Sequence, residues 1–281
     1  MILPSEAAPV GMASLVLSLC CALAYAVPAL AAQRMGDQAK RGWVIGAWLL
    51  HALVLLAGLT GFGMVGDSGT QARFGFAAAL SGTVYLAAAV YGAEMYLYPQ
   101  LKTHWSLATL GALAVLVALA FPGRVIHASQ SPWLPMHWAL GIASYGLFGV
   151  AAVHAWFLIR AEERMRQGLD AQNGMPLLTM ERLTFRFVGA GFVLLTATLL
   201  AGWLFGETLY GAGVRGKWKW DHKTMFSVLS WFTFAALLVG RARFGWRGRS
   251  AVRLLYVGSA LLLFAYVGSR FVLEVILRRA S

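Results

Sequence analysis

The chain has 281 residues, of which 59% are hydrophobic and only 12% charged, with a mean hydropathy of +0.68. A soluble domain carries roughly 25% charged residues; at half that figure too little polar surface remains to cover a water-soluble globule, so the class is integral membrane protein. The net charge of +12 is dispersed in short segments between apolar runs, where membrane orientation accounts for it, which leaves nucleic acid out as a partner.

Eight apolar runs approach the roughly 20 residues that a spanning helix needs. The first, 9–32, follows MILPSEAAPV. With no basic residue ahead of it, it reads as a retained transmembrane helix rather than a signal peptide. Its adjacent Cys20 and Cys21 do not face each other on a helix, which argues against a structural disulfide. The second run, 43–65, holds His51 in WVIGAWLLHALVLL, about 12 Å from its start. Runs 75–98 and 106–121 follow. The fifth, 136–159, opens in PWLPMHWALGIASYGLF, with His137 at a membrane interface and Gly141 and Ser144 on the same helical face. The long connector 160–186 reads as a helix continuing past the bilayer, then a short interfacial helix in PLLTMERLTFRF. Runs 187–206, 224–240 and 252–277 complete the set.

The fold class is therefore all-α, a polytopic helical bundle of about eight transmembrane helices in a single domain, 1–281. Odd-numbered connections carry fourteen Lys and Arg, and the even-numbered ones with the C-terminal end carry eight. The positive-inside rule puts the odd connections in the cytoplasm and both termini outside.

Polar side chains within spans are costly and mark function. His51 can hydrogen-bond a neighbouring helix or ligate a metal or haem iron. His154, near the cytoplasmic end of span five, lies at a similar depth. Arg270 and Glu274 are four apart on span eight, placed to pair with one another or, for Arg270, to grip a carboxylate. The sixth connection ends in GKWKWDHKT, residues 216 to 224. Tryptophans are ordinary at a headgroup layer, and Asp221 or Thr224 suits a helix cap. The same stretch equally offers Trp218 and Trp220 as a flat shelf beside cations and histidine.

At these residues the chain resembles the cytochrome c assembly proteins, the CcsA/CcmC-like haem-handling membrane proteins, and within them the YpjD-like branch. WKWDHKTMFSVLSW is similar to their tryptophan-rich segment W-G-x-x-W-x-W-D-P-K-E followed by a further Trp: Trp218, Trp220, Asp221, Lys223 and Trp231 fit. Val214-Arg215 stand in for Trp-Gly, His222 for Pro and Thr224 for Glu. HWALGIASYGLF resembles the family helix whose histidine ligates haem on the outer side, and GWRGRSA the stretch after the next span. Where the family has its second flanking histidine this chain reads LLVGRAR, leaving His222 as a stand-in.

The resemblance, over about residues 43 to 277, implies a multi-pass protein of a bacterial-type inner membrane. It implies handling of haem b in cytochrome c biogenesis, by delivery or presentation on the periplasmic side, with other maturation proteins and the lipid bilayer as partners. Such a protein is a haem carrier or an accessory to a haem lyase rather than an enzyme in its own right. The residues implied are His137 and His51 as iron ligands, His222, a shelf of Trp218, Trp220 and Asp221, Trp231 as a further cofactor-binding residue, and Arg270 for a propionate. The competing expectation is a haem-independent scaffold or regulator that holds a partner through its basic connections.

Overall fold

The structure is a computed structural model and describes residues 11–31, 34–60, 73–97, 107–125, 133–168, 176–206 and 221–268. Trp218, Trp220, Arg270 and Glu274 lie outside the described residues, as do His104 and His127. The helices are α1 (Met12–Leu30), α2 (Asp37–Thr60), α3 (Phe76–Leu97), α4 (Ala108–Ala120), α5 (Leu134–Arg166), α6 (Leu177–Leu204), α7 (His222–Phe244) and α8 (Gly248–Leu263), the last continued by a π-turn, Phe264–Gly268. Seven are long and apolar enough to cross a membrane, and α4 is a shorter apolar helix of 13 residues. The chain is a polytopic helical membrane protein. Backbone groups in hydrocarbon find no water, so each span must satisfy them internally, which a helix does. Thr184, Thr196, Thr198 and Thr233 likewise donate their hydroxyls to carbonyls one turn back. Leucine, valine and phenylalanine side chains left exposed on the helices, among them Val193 and Phe232, face what lipid would cover.

Two compact units form along the chain. In the first, α1 packs against α2 and α4 around Cys21, Ala22, Ala24, Tyr25, Ala47 and Val115. Gly111 of α4 is where the Tyr25 ring lies; a Cβ there would sit 2.9 Å from ring carbons. Small residues at such contacts are what lets helices approach in a membrane. Both cysteines are free, Cys20 exposed and Cys21 buried. An antiparallel pair unforeseen in the sequence, β1 (Arg73–Phe74) with β2 (Arg124–Val125), joins the start of α3 to the end of α4. Those two helix ends therefore lie at one level, as they would if the short α4 returned the chain across the bilayer. Gly123 beside it has φ +79°, and a Cβ would lie 2.6 Å from the Phe74 carbonyl carbon, so only glycine fits.

The second unit, which also takes in α3 from Leu86 on, contains two helical hairpins, α5–α6 and α7–α8, that use one packing device twice. On α5, Ser144 donates to the Gly191 carbonyl of α6 at 3.1 Å, and one turn further on Phe148 lies against Gly191. On α7, Ser230 donates to the Gly258 carbonyl of α8 at 2.8 Å, and one turn on Phe234 lies against Gly258. The two phenylalanine rings then stack face to face, centroids 3.8 Å apart and planes within 5°, at the centre of the unit. The cross-contacts repeat in the same sense: α5 with α8 and α6 with α7. Ion pairs close both at one end, Arg249–Glu163 at 3.0 Å and Arg241–Glu181 at 2.5 Å. The hairpins are thus related by an approximate twofold axis running along the helices.

The segment expected as a separate interfacial helix before span six is instead the start of α6, which runs unbroken from Leu177. No residue after Pro176 interrupts it, and the Glu181 and Thr184 bonds tie this first part to α7 and to its own backbone.

Candidate functional site

The end of the second unit opposite those ion pairs gathers the head of α5, the end of α6, the start of α7 and the π-turn. Pro135 in the first turn of α5 is tolerated because that position has no intrahelical donor to lose. It brings His137 within one turn of the helix start, its backbone N–H bonded to the Trp133 carbonyl at 3.1 Å. The His137 ring is half-buried and reaches α6 at Gly202, where a Cβ would lie 3.5 Å from its Cε1. One turn below, Gly141 faces the Thr198 methyl at 3.6 Å. Glycine at both places keeps the surface beside the imidazole low.

Across from it, Asp221 caps α7: its backbone is extended and Oδ1 accepts the Thr224 N–H at 2.8 Å. Asp221 is exposed, as is His222, the first residue of the helix. The residue turned inward is Lys223. Its ammonium lies 5.2 Å from the centroid of the Tyr266 ring, on the π-turn, and is an electrostatic neighbour of the His137 imidazole. Tyr266 in turn neighbours the Tyr145 phenol of α5. The twofold packing explains the pairing, since His137 stands seven residues ahead of Ser144 and Lys223 seven ahead of Ser230. An imidazole and an ammonium thus occupy equivalent places on the two sides of the axis. A π-turn at this level is the kind of helix irregularity that recurs at functional sites.

Trp231 is not at this end. It lies two and a half turns along α7, its indole N–H donates to Thr196 Oγ1 at 2.9 Å, and Phe192 stacks on it with centroids 5.3 Å apart. Its place is the α6–α7 seam.

His51 belongs to the first unit and is fully buried there. The Ser81 hydroxyl is 2.7 Å from its Nε2 and the Tyr25 hydroxyl 3.3 Å from its Nδ1. A neutral imidazole has one donor and one acceptor nitrogen, so one hydroxyl donates to the ring and the other accepts from it. Tyr25 and Tyr85 pack edge-on against the ring, and Trp48 stacks on Tyr85 at 4.7 Å. Any metal bound here would have to replace one of these hydroxyls. Among the described residues no group of three or more His, Cys, Asp or Glu side chains is placed to hold a metal ion by itself.

Its place at the head of a span and the family resemblance pointed to His137, but gave no reason to single out Gly202, Tyr266 or Tyr145. The usable signal was the repeated Ser-x-x-x-Phe spacing, with a polar residue seven positions ahead of each serine.

The family profile described as "Cytochrome C assembly protein" matches residues 70–277, nearly all of the second unit and the later part of the first. The "Uncharacterized 28.8 kDa protein in nifR3-like 5'region" of Azospirillum brasilense is 35% identical over 176 residues, 61% of this chain and 63% of that protein. "Inner membrane protein YpjD" of Escherichia coli K12 is 31% identical over 154 residues, 54% of this chain and 56% of that one. "Cytochrome c biogenesis protein CcsA" of Gloeobacter violaceus is 34% identical over 96 residues, 34% of this chain and 27% of that protein. The chain thus spans less than two thirds of the length of these relatives. No solved structure matches it.

Proposed function

The chain belongs to the cytochrome c assembly family, in its YpjD-like branch, and on that footing we propose that it binds haem for cytochrome c biogenesis on the outer face of a bacterial-type inner membrane. The observation that carries this reading is the meeting of His137, Lys223 and Tyr266 at one end of the second unit. These residues fit the group: a half-buried imidazole for iron, a cation for a propionate, an aromatic ring, and glycines that leave room for a flat molecule. Haem, when bound, supplies the iron and the vinyl groups that a maturation partner joins to an apocytochrome. This chain's own part is to bind and orient. Its two cysteines lie within α1, so thiol chemistry for attachment comes from partners.

In this reading His137 is the axial ligand and Lys223 holds a carboxylate. His222, exposed beside Lys223, is a candidate second ligand. Trp218 and Trp220 build the shelf with Asp221, which fixes the start of α7, and Arg270 reaches a second propionate. His51, with both ring nitrogens occupied, shapes the first unit.

The test is the absorption spectrum of the full chain purified in mild detergent from haem-replete cells. A Soret band that His137→Ala abolishes and His104→Ala leaves intact is the expected result. A colourless preparation carrying a bound soluble protein would overturn the reading in favour of a scaffold.

A further inference from the structure

The basic end of the second unit holds more than orientation requires. The helices α5 and α8 run antiparallel there and are tied at two points on one surface stripe. The Tyr256 hydroxyl donates to the Ala152 carbonyl at 3.4 Å, and Arg249 pairs with Glu163 at 3.0 Å. Ala152, Trp156, Arg160 and Glu163 follow each other at four, four and three residues on α5; Arg249, Arg253 and Tyr256 at four and three on α8. Such spacing keeps each set on a single helical face. Arg160 and Arg253 therefore flank one shallow groove between the two ties. At ~1.5 Å per residue, each lies within about 6 Å along its helix of the Arg249–Glu163 bridge.

Both arginines are exposed. Two carboxylates lie at this end of the α5–α8 contact: Glu163 is taken by Arg249, and Glu162 Oε1 lies toward Gly248; among the described residues neither Arg160 nor Arg253 has an acidic partner. The Arg160 guanidinium is held 4.5 Å above the Trp156 ring, an arrangement that fixes its direction. On the side away from the bridge the groove turns apolar, with Trp156 43% and Val257 52% exposed. An exposed tryptophan beside arginine is a headgroup-level arrangement. The order along the groove is thus ion pair, two unpaired guanidinium groups, indole, aliphatic surface. That is the order of a phospholipid read from water inward.

We propose that the α5–α8 groove is a binding site for an anionic phospholipid, its phosphate held between Arg160 and Arg253 and an acyl chain lying along Trp156 and Val257. Two cations with no acid between them select a headgroup that carries no ammonium of its own. Each guanidinium presents a planar fork that matches phosphate oxygens. The site lies at the opposite end of the second unit from His137 and does not depend on haem.

The test uses the full chain in lipid nanodiscs of phosphatidylcholine, titrated with phosphatidylglycerol, with bound lipid read by native mass spectrometry. The wild-type chain is expected to retain one phosphatidylglycerol against a background of phosphatidylcholine. R160Q/R253Q is expected to bind it about thirtyfold more weakly, from two lost headgroup contacts. R182Q/R243Q removes two other exposed arginines and the same charge, and is expected to stay within about twofold of wild type. Equal weakening in both variants would overturn the proposal by reducing the effect to bulk charge. So would displacement of the lipid by millimolar inorganic phosphate alone, which would make the site one for the free anion. Should R160Q/R253Q fail to fold, R160K/R253K keeps the charge and removes the forks: weaker retention supports the site, and unchanged retention overturns the two-pronged grip.

Discussion

The two units each place a histidine inside a helix, and treat it in opposite ways. In the first, His51 is enclosed, with one hydroxyl on each ring nitrogen and tyrosines packed edge-on. In the second, His137 stands one turn from a helix start, half-buried against a glycine, facing a lysine from the equivalent helix of the other hairpin. The same side chain fastens three helices in one setting and stands at the head of a helix in the other. What separates them is placement, the interior of a three-helix contact for His51 and the first turn of α5 for His137.

The sharpest way to break that contrast is stability. His51→Ala removes two buried hydrogen bonds and leaves a cavity, and is expected to cost about 2–4 kcal/mol. His137→Ala should stay within about 1 kcal/mol. Thermal unfolding in detergent, followed by circular dichroism, reads both, and equal losses would show that the two rings do the same structural work.

Within the second unit, the repeated packing device can be tested on its glycines. A Cβ at Gly258 would stand 2.8 Å from the Phe234 ring and one at Gly191 3.2 Å from Phe148. Overpacking at the tighter place should make Gly258→Ala the costlier, by about 1–3 kcal/mol, with Gly191→Ala below it in the same melt. The reverse order would mean that the stacked rings yield more easily toward α8.

The two ion pairs at the end opposite His137 differ in exposure. Arg241 and Glu181 are 23% and 13% exposed, and Arg241 also covers the Phe185 ring at 3.8 Å, whereas Arg249 and Glu163 are 51% and 48% exposed. Arg241→Gln should cost about 1–2 kcal/mol, and Arg249→Gln under about 1 kcal/mol. The midpoint shifts in 0.1 and 1 M salt would check this, the exposed pair losing its small contribution first. The smallest effect expected is at the start of α7, where Asp221→Ala should cost about 1 kcal/mol as a lost cap. Asp221→Ser, which can still cap, should recover most of it.

Much of the fold was legible because a bilayer leaves a chain few options. Every apolar run of the sequence became a helix, and Asp221 before Thr224 was readable as a cap. The limits of α6 were not: Glu181, Arg182 and Arg186 look like a polar break, but Glu181 has Arg241 as its partner from a helix 60 residues away. His51 raised the opposite difficulty. Its sequence neighbours are all apolar, and the Tyr25 and Ser81 that occupy its nitrogens come from two other helices, 26 and 30 residues away. No local pattern encodes that. The twofold relation of the hairpins was hidden for a similar reason. Ser144 and Phe148 repeat as Ser230 and Phe234, but the glycines that receive them follow after connections of different length, so no fixed period runs through the chain. Lys223 was visible only as a motif cation until that relation set it opposite His137.

Reconstitution of the full chain with hemin, comparing wild type with His137→Gly in the presence and absence of added imidazole, reaches the ligand itself. The account predicts a low-spin Soret band in wild type, its loss in the variant, and its return when imidazole fills the vacated place. A variant that takes up hemin with the wild-type spectrum and no imidazole would contradict it.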